Sequence, residues 1–278
     1  MSTYLYNHLP LSAALSRLAA GGVSRVEIFG GEYTHWRPDE DPEQLRALVV
    51  ERRLQVTGFH LPKEEIVLAS EPKYRDALDR LKRGLRVASA VGASSAVLHA
   101  GYEVADSRYG ARERLVEAVA ELAAAADREH LDLLLENLPR FGPAVFGHSA
   151  DELLSLVEQV ASPRVGICFD TGHALVNGHD PSESLKRLFP LVKSIHLSDN
   201  HGPKPDNPFA SDEHLAPGDG VLDWDAFFET LGALGYSGEL VLEPGAQANM
   251  SEEVVLARSI AAVESHWRRL ARKGTRLL

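Results

Sequence analysis

The sequence predicts an α/β protein built as a single closed (β/α)8 barrel. Three observations indicate this fold. Short apolar runs recur along all 278 residues, an amphipathic stretch follows each one, and no Pro-, Gly- or Ser-rich linker divides the chain. Runs such as "SSAVLH" and "LDLLLEN" are typical of parallel strands buried on both faces. Eight strand–helix units of about 35 residues match a βαβ repeat, whereas an open doubly wound sheet needs only about five or six strands. We therefore expect one domain over residues 1–278.

Apolar runs predict seven strands directly, and a weaker signal near Tyr4–Tyr6 predicts a further strand ahead of them. The seven runs are Arg25–Phe29, Gln55–Phe59, Ser95–Leu98, Asp132–Leu135, Val165–Phe169, Val192–Ile195 and Glu239–Leu242. The stretches between them predict helices, because apolar residues such as Leu78, Leu81 and Leu85 recur on one helical face. These helices are Leu11–Ala20, Glu43–Arg53, Lys73–Val91, Arg112–Glu129, Asp151–Val160, Ser182–Phe189, Asp225–Leu234 and Glu252–Arg272.

Composition and charge exclude several classes of function. Lys and Arg total 29 against 40 Asp and Glu, so the formal charge is −11. This acidic balance argues against indiscriminate binding of nucleic acid, because phosphate contacts need a surplus of Lys and Arg. The single cysteine, Cys168, excludes an internal disulfide framework and favours a reducing compartment. No apolar run approaches the ~18 residues of a membrane span, and no secretion signal is recognisable at Met1. We therefore expect a cytoplasmic protein with no membrane partner.

Six consecutive predicted strands end in a histidine or a carboxylate. In chain order these residues are His60, His99, Glu136, Asp170, His196 and Glu243. The carboxyl ends of barrel strands meet on one face, which is where barrel enzymes place their chemistry. Burying several carboxylates together costs several kcal/mol unless cations compensate them. Imidazole and carboxylate ligands suit Zn²⁺, Mn²⁺ or related divalent ions, so the pattern predicts a metal site at this face.

Two loops add candidate ligands. In "FDTGH", His173 lies three residues after Asp170 and can reach the same face of the barrel. The long polar segment after His196 contains Asp212 and His214. In an extended segment this spacing lets both side chains point the same way and bind one ion. We interpret the other charges of that segment, including Asp199, as those of a solvated loop.

Several stretches resemble the xylose-isomerase-like TIM barrels, a superfamily that joins sugar isomerases and epimerases to the AP-endonuclease family 2 enzymes. The resemblance is carried by "GFHLPKEEIVLAS", "VLHAG", "LLLENLPRFG", "VGICFDTGHALVNGHD", "VKSIHLSDN", "DEHLAPGDG" and "LVLEPG", spread over residues 58–245. The individual fragments are weak signals, but in this order and at these spacings they are specific to the superfamily. The count of eight units extends the likeness to almost the whole chain.

The two branches of the superfamily imply different metal contents. Resemblance to the sugar branch implies one divalent ion, commonly Mn²⁺, Mg²⁺ or Co²⁺, held by four residues that match Glu136, Asp170, His196 and Glu243. It also implies that Glu136 and Glu243 serve as the acid/base pair. Resemblance to the endonuclease branch implies up to three Zn²⁺, with Glu136 bridging two of them. The five additional residues that match that cluster are His60, His99, His173, Asp212 and His214.

The leading hypothesis is a divalent-metal-dependent isomerase or epimerase that moves a proton on a small polyhydroxy carbonyl compound through an enediolate. Lys63, Arg140 and Trp36 follow predicted strands and are candidates for binding the sugar or polyol. The alternative is a zinc-dependent endonuclease acting on abasic DNA. It is disfavoured by the few basic residues in the loops at the mouth, and by Ala100 where the endonucleases usually have proline. A sugar sensor that retains the metal, and a homo-oligomer, also remain open.

Overall fold

The computed structural model describes residues 1–30, 41–64, 66, 71–99, 101, 110–140 and 146–272. Seven parallel strands pair in the order in which they occur along the chain and form a nearly closed barrel. They are β1 (Arg25–Phe29), β2 (Gln55–His60), β3 (Ser95–His99), β4 (Asp132–Glu136), β5 (Val165–Asp170), β6 (Val192–Leu197) and β7 (Glu239–Leu242). Helices lie between the strands in sequence, as the sequence predicts. None of the described helices contains an apolar stretch long enough to cross a membrane.

The helices agree with the predicted ones to within two residues at each end, and one short helix is additional. They are α1 (Leu11–Ala20), α2 (Pro42–Glu51), α3 (Glu71–Ala90), α4 (Ala111–Arg128), α5 (Ala150–Val160), α6 (Thr171–Val176), α7 (Pro181–Leu188), α8 (Trp224–Leu234) and α9 (Glu252–Arg272). The apolar residues that predict α3, among them Leu78, Leu81 and Leu85, are fully buried. The additional helix is α6, which lies where the sequence predicts a loop.

The predicted strand near Tyr4–Tyr6 is wrong, because Thr3–Tyr6 forms a short 3-10 helix. The two residues before it occupy the position of the eighth strand instead. Ser2 forms a parallel bridge with Glu27 of β1, and its amide donates to the carbonyl of Leu242 in β7 at 2.8 Å. The N-terminal segment therefore lies between the first and last strands and closes the barrel between them.

Two side chains turn the chain away from the sheet after Ser2. The hydroxyl of Ser2 accepts the amide of Tyr4 at 3.2 Å, and the hydroxyl of Thr3 accepts the amide of Phe29 at 2.8 Å. In a longer N-terminal strand, a backbone carbonyl of that strand would have to accept the amide of Phe29. Because the hydroxyl of Thr3 accepts this amide instead, the backbone pairing with β1 does not continue. The segment therefore continues as a 3-10 helix, whose Leu5 is fully buried.

The interior of the barrel contains a small apolar cluster that is separate from the main core between strands and helices. It consists of Val97, Leu134 and Cys168 on three consecutive strands. Each lies two residues before a strand-end residue of the predicted site, namely His99, Glu136 or Asp170. Because side chains of a strand alternate between its two faces, the cluster forms the layer beneath the site.

Candidate metal centre

Four side chains from four strands meet at the carboxyl ends of β4 to β7. Donor atoms of Glu136, Asp170, His196 and Glu243 all lie within 4.8 Å of one another, and all four residues are buried. The register pairs Asp170 with His196 across β5 and β6. The structure thus brings together the four ligands expected for a single ion, although they are far apart along the chain. We call this set the four-ligand group.

The four-ligand group is organised around one nitrogen of His196. Its Nδ1 lies 2.9 Å from Glu243 Oε2, 3.1 Å from Glu136 Oε1 and 3.9 Å from Asp170 Oδ2. Among the described residues, Asp170 Oδ2 and Glu243 Oε1 are buried without a hydrogen-bond partner. Buried carboxylate oxygens are normally satisfied by a donor or a cation. Unpartnered carboxylate oxygens beside an imidazole nitrogen therefore fit a divalent cation held by these residues.

A second group lies beside the first and shares Glu136 with it. The Oε2 atom of Glu136 is 3.0 Å from His60 Nε2 and 2.6 Å from His99 Nε2. The Nδ1–H of His60 donates to the carbonyl of Leu61 at 3.0 Å. If His60 is neutral, that bond leaves its Nε2 as an acceptor, and this nitrogen faces a carboxylate oxygen that is also an acceptor. Two facing acceptors need a proton or a cation between them. His60, His99 and Glu136 therefore form a second candidate metal group.

The third group contains His173, Asp212 and His214. The loop spacing predicts that Asp212 and His214 lie together, and the structure adds His173 to them. Each histidine donates its Nδ1–H to a backbone carbonyl, His173 to Asn137 at 2.8 Å and His214 to Glu243 at 3.0 Å. Their Nε2 atoms then face Asp212, at 3.6 Å for His173 and 3.4 Å for His214. Such a backbone bond fixes the tautomer that offers the other nitrogen to a metal.

Burial and mutual charge shift the pKa values of these residues. Burial alone raises the pKa of Glu136, but His99 and His196 outweigh it and hold the pKa well below its usual range. Burial lowers the pKa of His99 to about 4. For His173, burial is outweighed by Asp170 and Asp212, which raise its pKa well above the usual value. Without a cation, protons on His173 and His196, whose pKa values are raised, would therefore compensate the buried carboxylates, whereas His99 would stay neutral.

Asp170 and His173 are positioned by the start of α6. The carboxylate of Asp170 caps this helix by accepting the amide of His173 at 2.7 Å. Asn137, which the sequence analysis does not single out, joins the ends of β4 and β5. Its side chain accepts the amide of Asp170 at 2.7 Å and donates to the carbonyl of the same residue at 2.9 Å. Asp170, one ligand of the four-ligand group, is therefore held at its backbone by Asn137 and at its carboxylate by the amide of His173.

Asp199 is buried, which contradicts its interpretation as a residue of a solvated loop. Its two carboxylate oxygens accept four hydrogen bonds, from the amides of Asn200, Gly218 and Leu222 and from the indole of Trp224. Backbone hydrogen bonds also pair Asp199 with Leu215, directly after His214. Asp199 therefore anchors the segment that carries the third group.

The predicted substrate-binding residues are not part of these groups. Lys63 and Arg140 are exposed in the segments that follow β2 and β4, and the amide of Arg140 donates to the side chain of Asn177 at 2.8 Å. Trp36 lies outside the described residues. Tyr4, which the sequence analysis assigns to a strand, instead places its ring 4.7 Å from that of His214.

The family model described as "Xylose isomerase-like TIM barrel" matches residues 15–266. The chain belongs to this family. Its structure superposes on the crystal structure of a D-tagatose 3-epimerase-like protein with a TM-score of 0.83, at 22% identity and over 98% of both chains.

Relatives from both branches are found by sequence. Fructoselysine 3-epimerase of Escherichia coli is 25% identical over 254 residues, which cover 87% of this chain and 88% of the relative. A probable endonuclease 4 of Natranaerobius thermophilus is 28% identical over 245 residues, 79% of this chain and 83% of the relative. The predicted family and the prediction of an enzyme are confirmed by these matches.

Proposed function

We propose that this protein is a divalent-metal-dependent isomerase or epimerase that moves a proton on a small polyhydroxy carbonyl compound. The observation that carries the proposal is the four-ligand group, whose buried carboxylate oxygens Asp170 Oδ2 and Glu243 Oε1 have no partner among the described residues. The similarity of this chain to fructoselysine 3-epimerase, which extends along most of its length, supports the same reaction class.

In this proposal Glu136, Asp170, His196 and Glu243 hold one divalent ion. The bound ion would polarise the carbonyl of the substrate and acidify the hydrogen on the adjacent carbon. Glu243 and Glu136 are the candidate acid/base pair, but the structure makes their surroundings unequal. Within the described part of the chain Glu243 Oε1 has no hydrogen-bond partner, whereas Glu136 Oε2 contacts two imidazoles. We therefore assign the abstraction of the proton to Glu243, which retains it. Glu136, which must carry a proton before the reaction, would deliver that second proton to the other face of the same carbon.

The test follows exchange of the substrate's α-hydrogen, which does not require the product to be known. The protein, loaded with Mn²⁺ or Co²⁺, is incubated in D2O with a panel of ketoses and their amine adducts, and deuterium uptake is read by NMR. We expect metal-dependent exchange on at least one compound and its loss after chelation. If the metal-loaded protein binds these compounds without exchange or turnover, it is a sensor and the proposal is wrong.

Glu243→Gln tests the assignment of the base, because the amide keeps the shape of the side chain but does not accept the proton. We expect exchange to fall by at least about 100-fold. Glu239→Gln is the matched control: it removes a carboxylate from the same strand at the opposite end of the barrel, where Glu239 pairs with Arg25. Exchange by Glu243→Gln that stays within about tenfold of the wild type refutes the assignment.

The second candidate is a zinc-dependent phosphodiester hydrolase acting on abasic DNA, and the two additional metal groups specifically favour it. With three ions, one could supply the attacking hydroxide while the others neutralise the phosphate. Elemental analysis separates the candidates: three zinc ions per chain together with nicking of an abasic duplex establish the hydrolase. One ion per chain with α-hydrogen exchange and no nicking establishes the isomerase or epimerase.

A further inference from the structure

We propose that Glu27 is a positioning residue that orients His196 and fixes the tautomer with which it binds the metal. This inference rests on the proposed function, because it requires a cation at the four-ligand group. Glu27 lies in the middle of β1, in "RVEIF", and is 1% exposed. It belongs to none of the three candidate metal groups.

The two nitrogens of His196 face different carboxylates. Nδ1 faces the four-ligand group, while Nε2 lies 2.9 Å from Glu27 Oε1. Neither Nε2 nor Oε1 makes a regular hydrogen bond within the described part of the chain. When a metal takes the lone pair of Nδ1, the proton of the neutral imidazole must be on Nε2. Glu27 Oε1 is a charged acceptor within reach of this proton, and the neutral thiol of Cys168, which also contacts His196, is a weaker acceptor. Glu27 therefore selects the tautomer that binds the ion.

The surroundings of Glu27 favour this role over a structural ion pair. No lysine or arginine of the described residues makes an ion pair with its side chain. The buried ammonium group of Met1 interacts electrostatically with Glu27, although no ion pair joins these two groups among the described residues. A buried carboxylate without such a pair costs free energy unless another group compensates it. The neighbouring strand also makes room for this carboxylate. Gly58 is the register partner of Glu27, and a Cβ added at Gly58 would lie 2.5 Å from Glu27 Oε2.

The contact also links the closure of the barrel to the metal centre. The backbone of Glu27 is bound to the N-terminal segment, because the amide of Glu27 donates to the carbonyl of Met1 at 3.0 Å. Its side chain then reaches across the interior to β6, which carries His196. The position of His196 is thus set by a strand that contributes no ligand of its own.

The test measures metal affinity, with Mn²⁺ and Zn²⁺ as the probes and isothermal titration as the readout. Glu27→Gln retains the size of the side chain but removes its charge, and Glu27→Leu removes the acceptor as well. Substitution of the partner that orients a metal-binding histidine typically costs about 10- to 100-fold in affinity. We expect a loss in this range for Glu27→Leu and a smaller one for Glu27→Gln. Val97→Ala, which loosens the same interior of the barrel, is the matched control.

A double-mutant cycle and a spectrum separate positioning from general destabilisation. If Glu27 acts through His196, then Glu27→Gln has no further effect on affinity in a His196→Gln background. In the zinc-loaded wild type, the Nε2–H of His196 should give a downfield proton signal in ¹⁵N-histidine-labelled protein, and this signal should shift in Glu27→Gln. Thermal melting of the metal-free variants checks that they fold.

Each outcome has one meaning. If the wild type binds no divalent ion, the proposed function fails, and this inference fails with it. If the wild type binds the ion and both Glu27 variants bind it equally well, only the positioning role is refuted. If affinity falls by the same factor with and without His196, Glu27 acts by another route and the inference is likewise overturned.

Discussion

Replacing Asp199 by asparagine is expected to release the segment that carries the third metal group. Each oxygen of the fully buried Asp199 carboxylate accepts two hydrogen bonds: Oδ1 from the amides of Asn200 and Leu222, Oδ2 from the amide of Gly218 and the indole of Trp224. The side chain of asparagine has an NH2 group in place of one of these oxygens. The two hydrogen bonds to that oxygen are therefore lost, and the NH2 group faces the two N–H donors that made them. Hydrogen bonds to charged groups contribute roughly 1.5–3 kcal/mol each, which gives a loss of about 3–6 kcal/mol.

Urea denaturation followed by tryptophan fluorescence measures this loss as a change in the free energy of unfolding. The comparable control is Asp223→Asn, which removes a negative charge at the end of the same segment. Asp223 is exposed and caps α8 through the amide of Ala226, and asparagine caps a helix about as well as aspartate. We expect the control to stay within about 0.5 kcal/mol of the wild type.

Zinc binding supplies the functional readout of the same perturbation. Because Asp199 pairs with Leu215 next to His214, the loosened segment should bind zinc less tightly at the third group. The four-ligand group takes no ligand from this segment and should keep its affinity. A loss of stability below about 1 kcal/mol for Asp199→Asn, with unchanged zinc binding, would refute the reasoning, since it would mean that the four hydrogen bonds contribute little.

Three further predictions use other parts of the molecule. Burial raises the pKa of Glu152, but His148 and the Gly147 amide outweigh burial and lower it below its ordinary value of 4.5. The ionised carboxylate therefore stabilises the fold above pH 4.5, and this stabilisation is lost as the pH falls through the lowered pKa. The difference in unfolding free energy between the wild type and Glu152→Gln should shrink in acid. Gly172→Ala should weaken metal binding in titrations, because the new Cβ would lie 2.2 Å from Ser198 Oγ and 3.2 Å from Asp170 Oδ1. Burial raises the pKa of the Cys168 thiol, so a thiol reagent should modify it only after denaturation; modification of the native protein at the unfolded rate would contradict its buried position.

The barrel and the meeting of the strand-end residues on one face could be predicted because both depend on local signals. An apolar run that ends in a histidine or carboxylate indicates both a strand and the residue at its carboxyl end, as with His99 and Glu136. Closure of the barrel then brings together residues that are far apart in sequence. The roles of Glu136 and Glu243 as acid and base stay predictions, because the structure shows their position and not their chemistry.

Residues that the sequence analysis overlooks or predicts wrongly lie where the environment is set by distant parts of the chain. In "RVEIF", Glu27 looks like the polar member of an alternating strand, and only the closed barrel shows that its side chain points inward to His196. Tyr4 lies in an apolar run typical of a strand, but the contact of Thr3 with β1 ends the pairing. The helix α6 has six residues, too few for helical periodicity to appear, and depends on the cap supplied by Asp170.

Glu136 connects the two candidate functions, because its two oxygens serve different groups. Oε1 lies 3.1 Å from His196 Nδ1 in the four-ligand group, while Oε2 lies 3.0 Å from His60 Nε2 and 2.6 Å from His99 Nε2. In an enzyme with one ion, these two histidines would hold the second oxygen of Glu136 and orient it as an acid or base. In an enzyme with several ions, the same atoms would be ligands, and Glu136 would bridge two cations and lose its capacity to carry a proton. The occupancy of the group formed by His60 and His99 therefore determines whether proton transfer is open to Glu136, and hence which of the two reactions this barrel can catalyse.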